Sequence, residues 1–327
     1  MFYYSAVALA AFMMSLLGTR LTILALRRKH AFLDVPNARS NHIAPTPRGG
    51  GIAVVFTLVM GLLLMDVGYS IVLAMLLLAA ISFIDDLIRV PPALRLVAQA
   101  VAVWIAMTGM EGLLFNGLLS VADDKIITML LWIWFINLFN FMDGIDGISG
   151  SEMICVGIGL CLLTVITNAF PSTLAEYALV AVAAGFGFLW WNWHPAKIFL
   201  GDVGSIPIGF LLAYLLLLAA KDGYVYAAMI LPAYYLADGT ITLVRRTWRG
   251  EKPWKAHSEH FYQKAVRNGR SHDGVVRLII GVNMLLVLCA VTATLEPKVA
   301  PVALLTAYAA VFLLLRYFAR RKKAGRP

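Results

Sequence analysis

The residues best suited to chemistry lie in Asn137–Gly150, which reads NLFNFMDGIDGISG. Two carboxylates, Asp143 and Asp146, stand there with two amides, Asn137 and Asn140, and three glycines, Gly144, Gly147 and Gly150. The stretch separates two apolar runs, and a connection between membrane spans has no need of such chemistry. Each glycine leaves backbone open to a closely approaching ligand. Carboxylates, amides and bare backbone at a membrane edge suit a metal-bound phosphate. A flexible turn with ordinary helix caps is the competing reading of this stretch taken alone.

Four further polar stretches punctuate the apolar chain. Asp85 and Asp86 directly follow the run ending Ser82-Phe83-Ile84. Adjacent anions repel, so a cation or a shared proton is expected beside them. Metal binding, phosphate chemistry through a metal and proton handling all fit, as does a polar cap at a span end. Arg89 takes the last position of a DDxxD pattern, which argues against a prenyl synthase. The stretch Trp191–Gly209, WNWHPAKIFLGDVGSIPIG, holds Asp202 between glycines, with Ser205 placed as a helix N-cap where an anion is favoured. Phe199 could stack on a flat ring. In DVPNARSNHIAPTPRGGG (34–51), Pro36, Pro45 and Pro47 stiffen a segment that offers Arg39, His42 and Arg48 as cations. The most basic stretch, 245–274, carries His257 and His260 three apart, a spacing that shares one face if helical. Without the Glu of HExxH or a cysteine it is a weak zinc signal. Hydrogen bonding to a diphosphate suits its His, Lys and Arg better.

The elements that must position these residues are set by composition. Of 327 residues, 61% are hydrophobic and 14% charged, against about 25% charged in soluble domains. That implies an all-α polytopic membrane protein, a single domain over 1–327. Eleven apolar runs are expected to span: 2–26, 50–66, 69–84, 94–110, 126–139, 151–168, 174–192, 206–220, 224–244, 275–294 and 299–318. The runs 126–139 and 206–220 are short, a sign of helices broken or tilted around a cavity. Cys155, Cys161 and Cys289 sit in apolar runs and read as small hydrophobes. No cleavable signal is expected, because the basic cluster Arg27-Arg28-Lys29 follows the first apolar run. With the N-terminus outside, only Lys125, Lys221 and Lys298 of the 27 Lys and Arg residues fall on the outer side. So strong a bias fixes orientation by the positive-inside rule, with N-terminus periplasmic and C-terminus cytoplasmic. The excess positive charge then meets anionic lipids and phosphorylated substrates, and nucleic acid is not needed to explain it. Asp85, Asp86, Asp143, Asp146 and Asp202 come from three loops on that inner side with the basic stretch. Five carboxylates gathered there call for a divalent cation, Mg²⁺ or Mn²⁺.

NFMDGIDG, HPAKIFLGDVGS, the Asp85-Asp86 pair, PTPRGGG and the HxxH stretch together resemble the polyprenyl-phosphate N-acetylhexosamine-1-phosphate transferases, in order from about residue 34 to 272. The likeness is greatest to bacterial members that initiate O-antigen or capsule. It implies about eleven spans around a cytoplasmic-facing cleft in the bacterial inner membrane, Mg²⁺ dependence and, in many members, homodimers. It also implies transfer of a sugar-1-phosphate from a UDP-N-acetylhexosamine to undecaprenyl phosphate with release of UMP. Position by position, Asp202 matches the metal-binding aspartate and Asn140 an assisting asparagine. Asp85 and Asp86 match the catalytic pair near the lipid phosphate. Asp146 and Phe199 match residues that hold and stack uracil, with Asp143 beside them. His257 and His260 match the loop over sugar and diphosphate. Phe261-Tyr262-Gln263 replaces the denser histidine cluster of part of the family, and Arg48 stands where no lysine follows His42.

The chemistry can be reasoned from the substrates. A phosphate monoester with a second pKa of about 6 is already largely dianionic at neutral pH. The obstacle is charge repulsion, which cations at Asp202, Arg48, His257 and His260 would relieve. Direct in-line attack is expected, with a covalent aspartyl-phosphate as the rival. A secondary transporter of an anionic or nucleotide-sugar substrate also keeps carboxylates in the membrane, but its sites lie near mid-span.

Overall fold

A computed structural model describes residues 2–27, 33–34, 45–110, 112–115, 117–170, 172–252 and 257–320. Arg28, Lys29, Pro36, Arg39 and His42 lie outside the described residues. The architecture is all-α: α1 (Phe2–Leu26), α2 (Gly51–Leu64), α3 (Tyr69–Ile88), α4 (Pro92–Thr108), α5 (Val121–Met142), α6 (Ile148–Ile166), α7 (Thr173–Asn192), α8 (Asp202–Lys221), α9 (Val225–Ile230), α10 (Ala233–Trp248), α11 (Phe261–Arg267), α12 (His272–Leu295) and α13 (Ala300–Ala319). A two-residue antiparallel pair, β1 (Leu33–Asp34) with β2 (Thr46–Pro47), is the only sheet among the described residues.

Eight helices are long and apolar enough to cross a membrane, and α2 and α4 are shorter apolar helices. The ninth expected span, 224–244, is broken at Leu231-Pro232 into α9 and α10. Proline lacks the amide that would continue the helix. The two runs read as short are full helices instead. The 126–139 run extends to Val121–Met142 because Ser120 accepts from the Asp123 amide and two aspartates enter the first turn. Asn137 and Asn140 therefore lie on the last turns of α5 and not in a loop. The 206–220 run begins at Asp202, which makes that aspartate the first residue of a buried helix.

Helix α8 is the axis of the bundle, packed by α5, α3 and α2. Trp132 on α5 stacks on Phe210 at 4.9 Å and donates its indole N–H to the Phe210 carbonyl at 2.9 Å. Small residues set the closest crossings, as expected between helices in lipid. Gly209 lies against the Ile136 backbone of α5, and Gly187 of α7 against the Phe12 carbonyl and Leu16 amide of α1. The Ser15 hydroxyl adds a 2.7 Å bond to the Ala184 carbonyl. Packing of α2, α3 and α5 on α8 brings their polar ends together.

Candidate active site

Two strand-like segments clamp the entrance to α8. The Phe199 amide donates to Pro47, the Gly49 and Gly50 amides to Phe199, and the Gly51 amide to Leu200, at 2.8 to 3.2 Å. Gly201, at φ +74°, caps α8, and a Cβ there would crowd Arg48 Cγ at 3.1 Å and Asp86 Oδ2 at 3.3 Å. Sequence reading gave the cap to Ser205. That residue lies inside the helix, buried, and takes a hydrogen bond from Asn140 Nδ2 at 2.8 Å.

Charges interleave around Asp202. Arg48 Nη2 lies 2.7 Å from Asp202 Oδ1 and 3.3 Å from Asp86 Oδ1. Arg95, on the first turn of α4, lies 2.8 Å from Asp85 Oδ2 and 3.7 Å from Asp202 Oδ2. Asn140 Nδ2 reaches Asp202 Oδ1 at 3.3 Å, and the Val203 amide donates to Asp86 Oδ2 at 3.4 Å. The adjacent aspartates thus have different stations. Asp86 faces Arg48 and the head of α8. Asp85 takes the Val90 amide at 2.6 Å and closes the end of α3, so it reaches Asp202 only through Arg95. Asp143 caps α5 and accepts from Ser149 at 2.7 Å. Burial pushes its carboxyl up to about 6, Ser149 and Arg48 oppose this, and Asp202 and Asp86 add to it.

Asp146 has partners that its sequence neighbourhood does not suggest. Its Oδ2 lies 2.6 Å from His194 Nδ1 and takes the Ala196 amide at 3.1 Å. Its Oδ1 lies 3.3 Å from His272 Nδ1, at the head of α12. The ligand atoms of these three residues fall within 4.8 Å of one another. The Asp146 amide also approaches His272 Nδ1, at 3.4 Å, so this ring nitrogen meets both the amide and the carboxylate of Asp146. Asn192 secures the surrounding turns by accepting from the Gly147 amide and donating to the Ile198 carbonyl, both at 2.9 Å.

Burial alone would raise the Asp146 carboxyl, but hydrogen bonds from His272, His194 and the Ala196 amide hold it below its ordinary value. A group with a lowered folded pKa lends stability above its unfolded pKa and loses it as pH falls through the folded one. Asp146→Asn is therefore expected to lower the thermal midpoint at pH 7 by an amount equivalent to about 1–3 kcal/mol. In thermal melts across pH, that deficit should shrink on acidification; a deficit independent of pH would overturn the assignment.

These groups line a cavity of about 270 Å³ bounded by Arg48, Asn140, Asp143, Asp146, Phe199 and Asp202, with Asn192, Gln263 and His272 on its walls. A second cavity of about 130 Å³ shares Arg48 and Asp34 with the first but is lined also by Leu33, Ile52, Phe83, Asp86 and Val203. One compartment is polar. The other sets two carboxylates and Arg48 among apolar side chains.

A divalent cation fits the donor set around Asp202. Among the described residues, Asp85, Asp86, Asp143 and Asp202, when all are ionised, exceed the two guanidinium groups of Arg48 and Arg95 by two negative charges. All the anionic donors are oxygens, the preference of Mg²⁺ and Mn²⁺.

The shared helix face expected for the HxxH stretch is corrected. His257 and His260 precede α11 in non-helical chain, so they share no helix face. Their rings stack at 4.9 Å, and neither is among the residues lining the larger cavity. His260 is buried, with Nδ1 3.2 Å from Asp238. Sequence reasoning missed Arg95, Asn192, Gln263 and His272 as site residues. Arg95, ten residues beyond Asp85 in a helix first turn, was the most accessible of these. His272 was signalled only by its place at the head of an apolar run.

Fold and site together define an integral membrane protein with a cluster of charged groups at one end of a helical bundle. The sequence profile of glycosyl transferase family 4 matches residues 69–220. That span carries Asp85, Asp86, Asn140, Asp143, Asp146, Phe199 and Asp202. The chain is 26% identical over 289 residues to a probable undecaprenyl-phosphate N-acetylglucosaminyl 1-phosphate transferase of Bacillus subtilis, covering 82% of this chain and 80% of the relative. It is 28% identical over 290 residues to a decaprenyl-phosphate N-acetylglucosaminephosphotransferase of Mycolicibacterium smegmatis, covering 75% and 71%. A phospho-N-acetylmuramoyl-pentapeptide-transferase of Desulforapulum autotrophicum is 29% identical over 218 residues, covering 54% and 60%.

Proposed function

We propose that the protein transfers an N-acetylhexosamine-1-phosphate from a UDP-sugar to undecaprenyl phosphate, releasing UMP and starting a lipid-linked envelope glycan such as O-antigen. The names of the relatives support the acceptor class and the transferred group. The observation that carries the reading is the meeting of a polar and a partly apolar cavity at Arg48, beside Asp202 and Asp86. A water-soluble donor suits the first. A phosphate on a prenyl chain suits the second, where Ile52, Phe83 and Val203 accompany Asp86.

In this reading Asp146 and Phe199 hold and stack the base, and His194 and His272 fix the carboxylate. Asp202 and Asn140, with Asp143 and Asp86 close by, would hold Mg²⁺ or Mn²⁺, which supplies charge neutralisation for two anionic substrates. Arg48 lies between the cavities and can turn its guanidinium from the carboxylates to a phosphate oxygen. Asp86 orients the acceptor phosphate and takes any residual proton, while Asp85 acts through Arg95. His257, whose ring stacks on that of His260, is the histidine of its pair left to meet the sugar side. The site faces the cytoplasm, where UDP-sugars are made, with the N-terminus periplasmic and the C-terminus cytoplasmic, the arrangement the Lys and Arg distribution supports.

The test is a radiolabelled panel of UDP-sugars with undecaprenyl phosphate and Mg²⁺, scoring lipid product and UMP. One UDP-N-acetylhexosamine is expected to give both in equal amounts, with turnover abolished by chelation. Counterflow of intact UDP-sugar without UMP would replace the enzyme reading with a transporter.

A further inference from the structure

Asp238 is fully buried on α10 and does not line either cavity above. Its carboxylate collects donors from two elements. Oδ1 takes the Phe261 amide at 2.9 Å and the Thr242 hydroxyl at 3.3 Å, and lies 3.2 Å from His260 Nδ1. Oδ2 takes the Tyr262 amide and the Tyr234 hydroxyl, both at 3.2 Å. A buried charge so placed is stabilising only while these donors stay, and removing it strands them in a dry interior.

What these bonds hold in place leads to the site. The His260 ring stacks between His257 at 4.9 Å and Tyr262 at 5.8 Å. Tyr262 donates its hydroxyl to the Phe141 carbonyl at 3.0 Å, and that oxygen fills the space where a Cβ on Gly144 would lie, at 2.1 Å. Phe141 and Gly144 are next to Asn140 and Asp143. Gln263 accepts from the His260 amide at 3.2 Å and walls the cavity. A second clamp closes the segment's base, since Arg249 bridges Glu251 at 2.9 Å and Glu259 at 2.6 Å. Arg267 also bonds the Ser258 carbonyl.

We propose that Asp238 is a positioning residue for the transfer reaction: from outside the cavity it fixes residues 257–263, whose Gln263 walls the donor cavity, and through Tyr262 it sets the turn bearing Asn140 and Asp143. The kinetic half of this inference rests on the donor reading above; the structural half does not. The experiment uses the full chain in detergent with Asp238→Asn, which keeps the shape and removes the charge. Hydrogen exchange of amides 261–267 is expected to quicken about tenfold while α3 and α8 stay unchanged, and the donor KM to rise about tenfold with kcat within about threefold. Wild-type exchange and KM in a folded variant would overturn the proposal. Should Asp238→Asn fail to fold, Tyr262→Phe keeps the carboxylate and cuts only the link to Phe141. A donor KM raised several-fold then supports the proposal, and an unchanged KM overturns it. If the wild-type protein turns over no UDP-sugar, the donor reading fails by itself and the exchange result alone decides the role of Asp238.

Discussion

Asp202→Asn is expected to leave a folded membrane protein whose UMP release falls at least about 100- to 1,000-fold. The argument is electrostatic. Asp202 sits at the first turn of α8, touched by Arg48 on one oxygen and approached by Arg95 on the other, and it is the carboxylate common to both ion-pair chains. Replacing it by an amide keeps the size and one acceptor oxygen while removing one charge from the set proposed to hold a divalent cation. Folding should be nearly indifferent, because the remaining carboxylates repel one another less. Asp202 and Asp86 both add to the elevation of Asp143, so the Asp143 carboxyl should ionise more readily in the variant. The check is UMP release against Mg²⁺ concentration, with the thermal midpoint measured on the same sample. Turnover within tenfold of wild type would remove Asp202 from the metal assignment.

The sequence made the helices and most of the anionic residues legible, for a simple reason. Long apolar runs can do little else in a membrane, and charged residues between them have only two sides to occupy. The alternation of spans required the ends of α3 and α5 to meet the starts of α2, α4 and α8, and the contacts of Asp202 with Arg48, Arg95 and Asn140 have that form. Pairwise geometry was not legible. Nothing local distinguishes Asp85 from Asp86, yet one closes a helix end and the other faces the site. The partners of Asp146 lie 48 and 126 residues away, beyond any motif. Asp238, inside an apolar run, read as part of a span because its donors come from the stretch that follows 22 to 24 residues later. His260 read as a diphosphate-binding donor for the complementary reason: a histidine motif advertises chemistry even where the ring is buried against a carboxylate.

The glycine at the start of α2 carries the largest steric consequence of the fold. A Cβ on Gly51 would lie 2.2 Å from Gly204 Cα, 2.3 Å from its nitrogen and 2.9 Å from the Val203 carbonyl carbon. All three are backbone atoms of α8, so no rotamer change can relieve the contact. The two helix starts must separate, and they carry the opposing members of the charge cluster, Arg48 three residues before Gly51 and Asp202 two before Gly204. A displacement near 1 Å in a catalytic constellation costs on the order of 100-fold in rate, and overpacking of this kind costs about 1–3 kcal/mol. Gly51→Ala should therefore lose both activity and thermal stability. Gly281 on α12, where an added Cβ meets nothing within 4 Å, is the control. Gly281→Ala should keep activity and gain up to about 1 kcal/mol, the helical preference for alanine over glycine. Thermal melts and UMP release on the pair separate a packing effect from a general intolerance of substitution. Wild-type turnover in Gly51→Ala would mean that α2 and α8 can part without moving Arg48 from Asp202, and the site would then owe its geometry to the Phe199 and Leu200 backbone bonds alone.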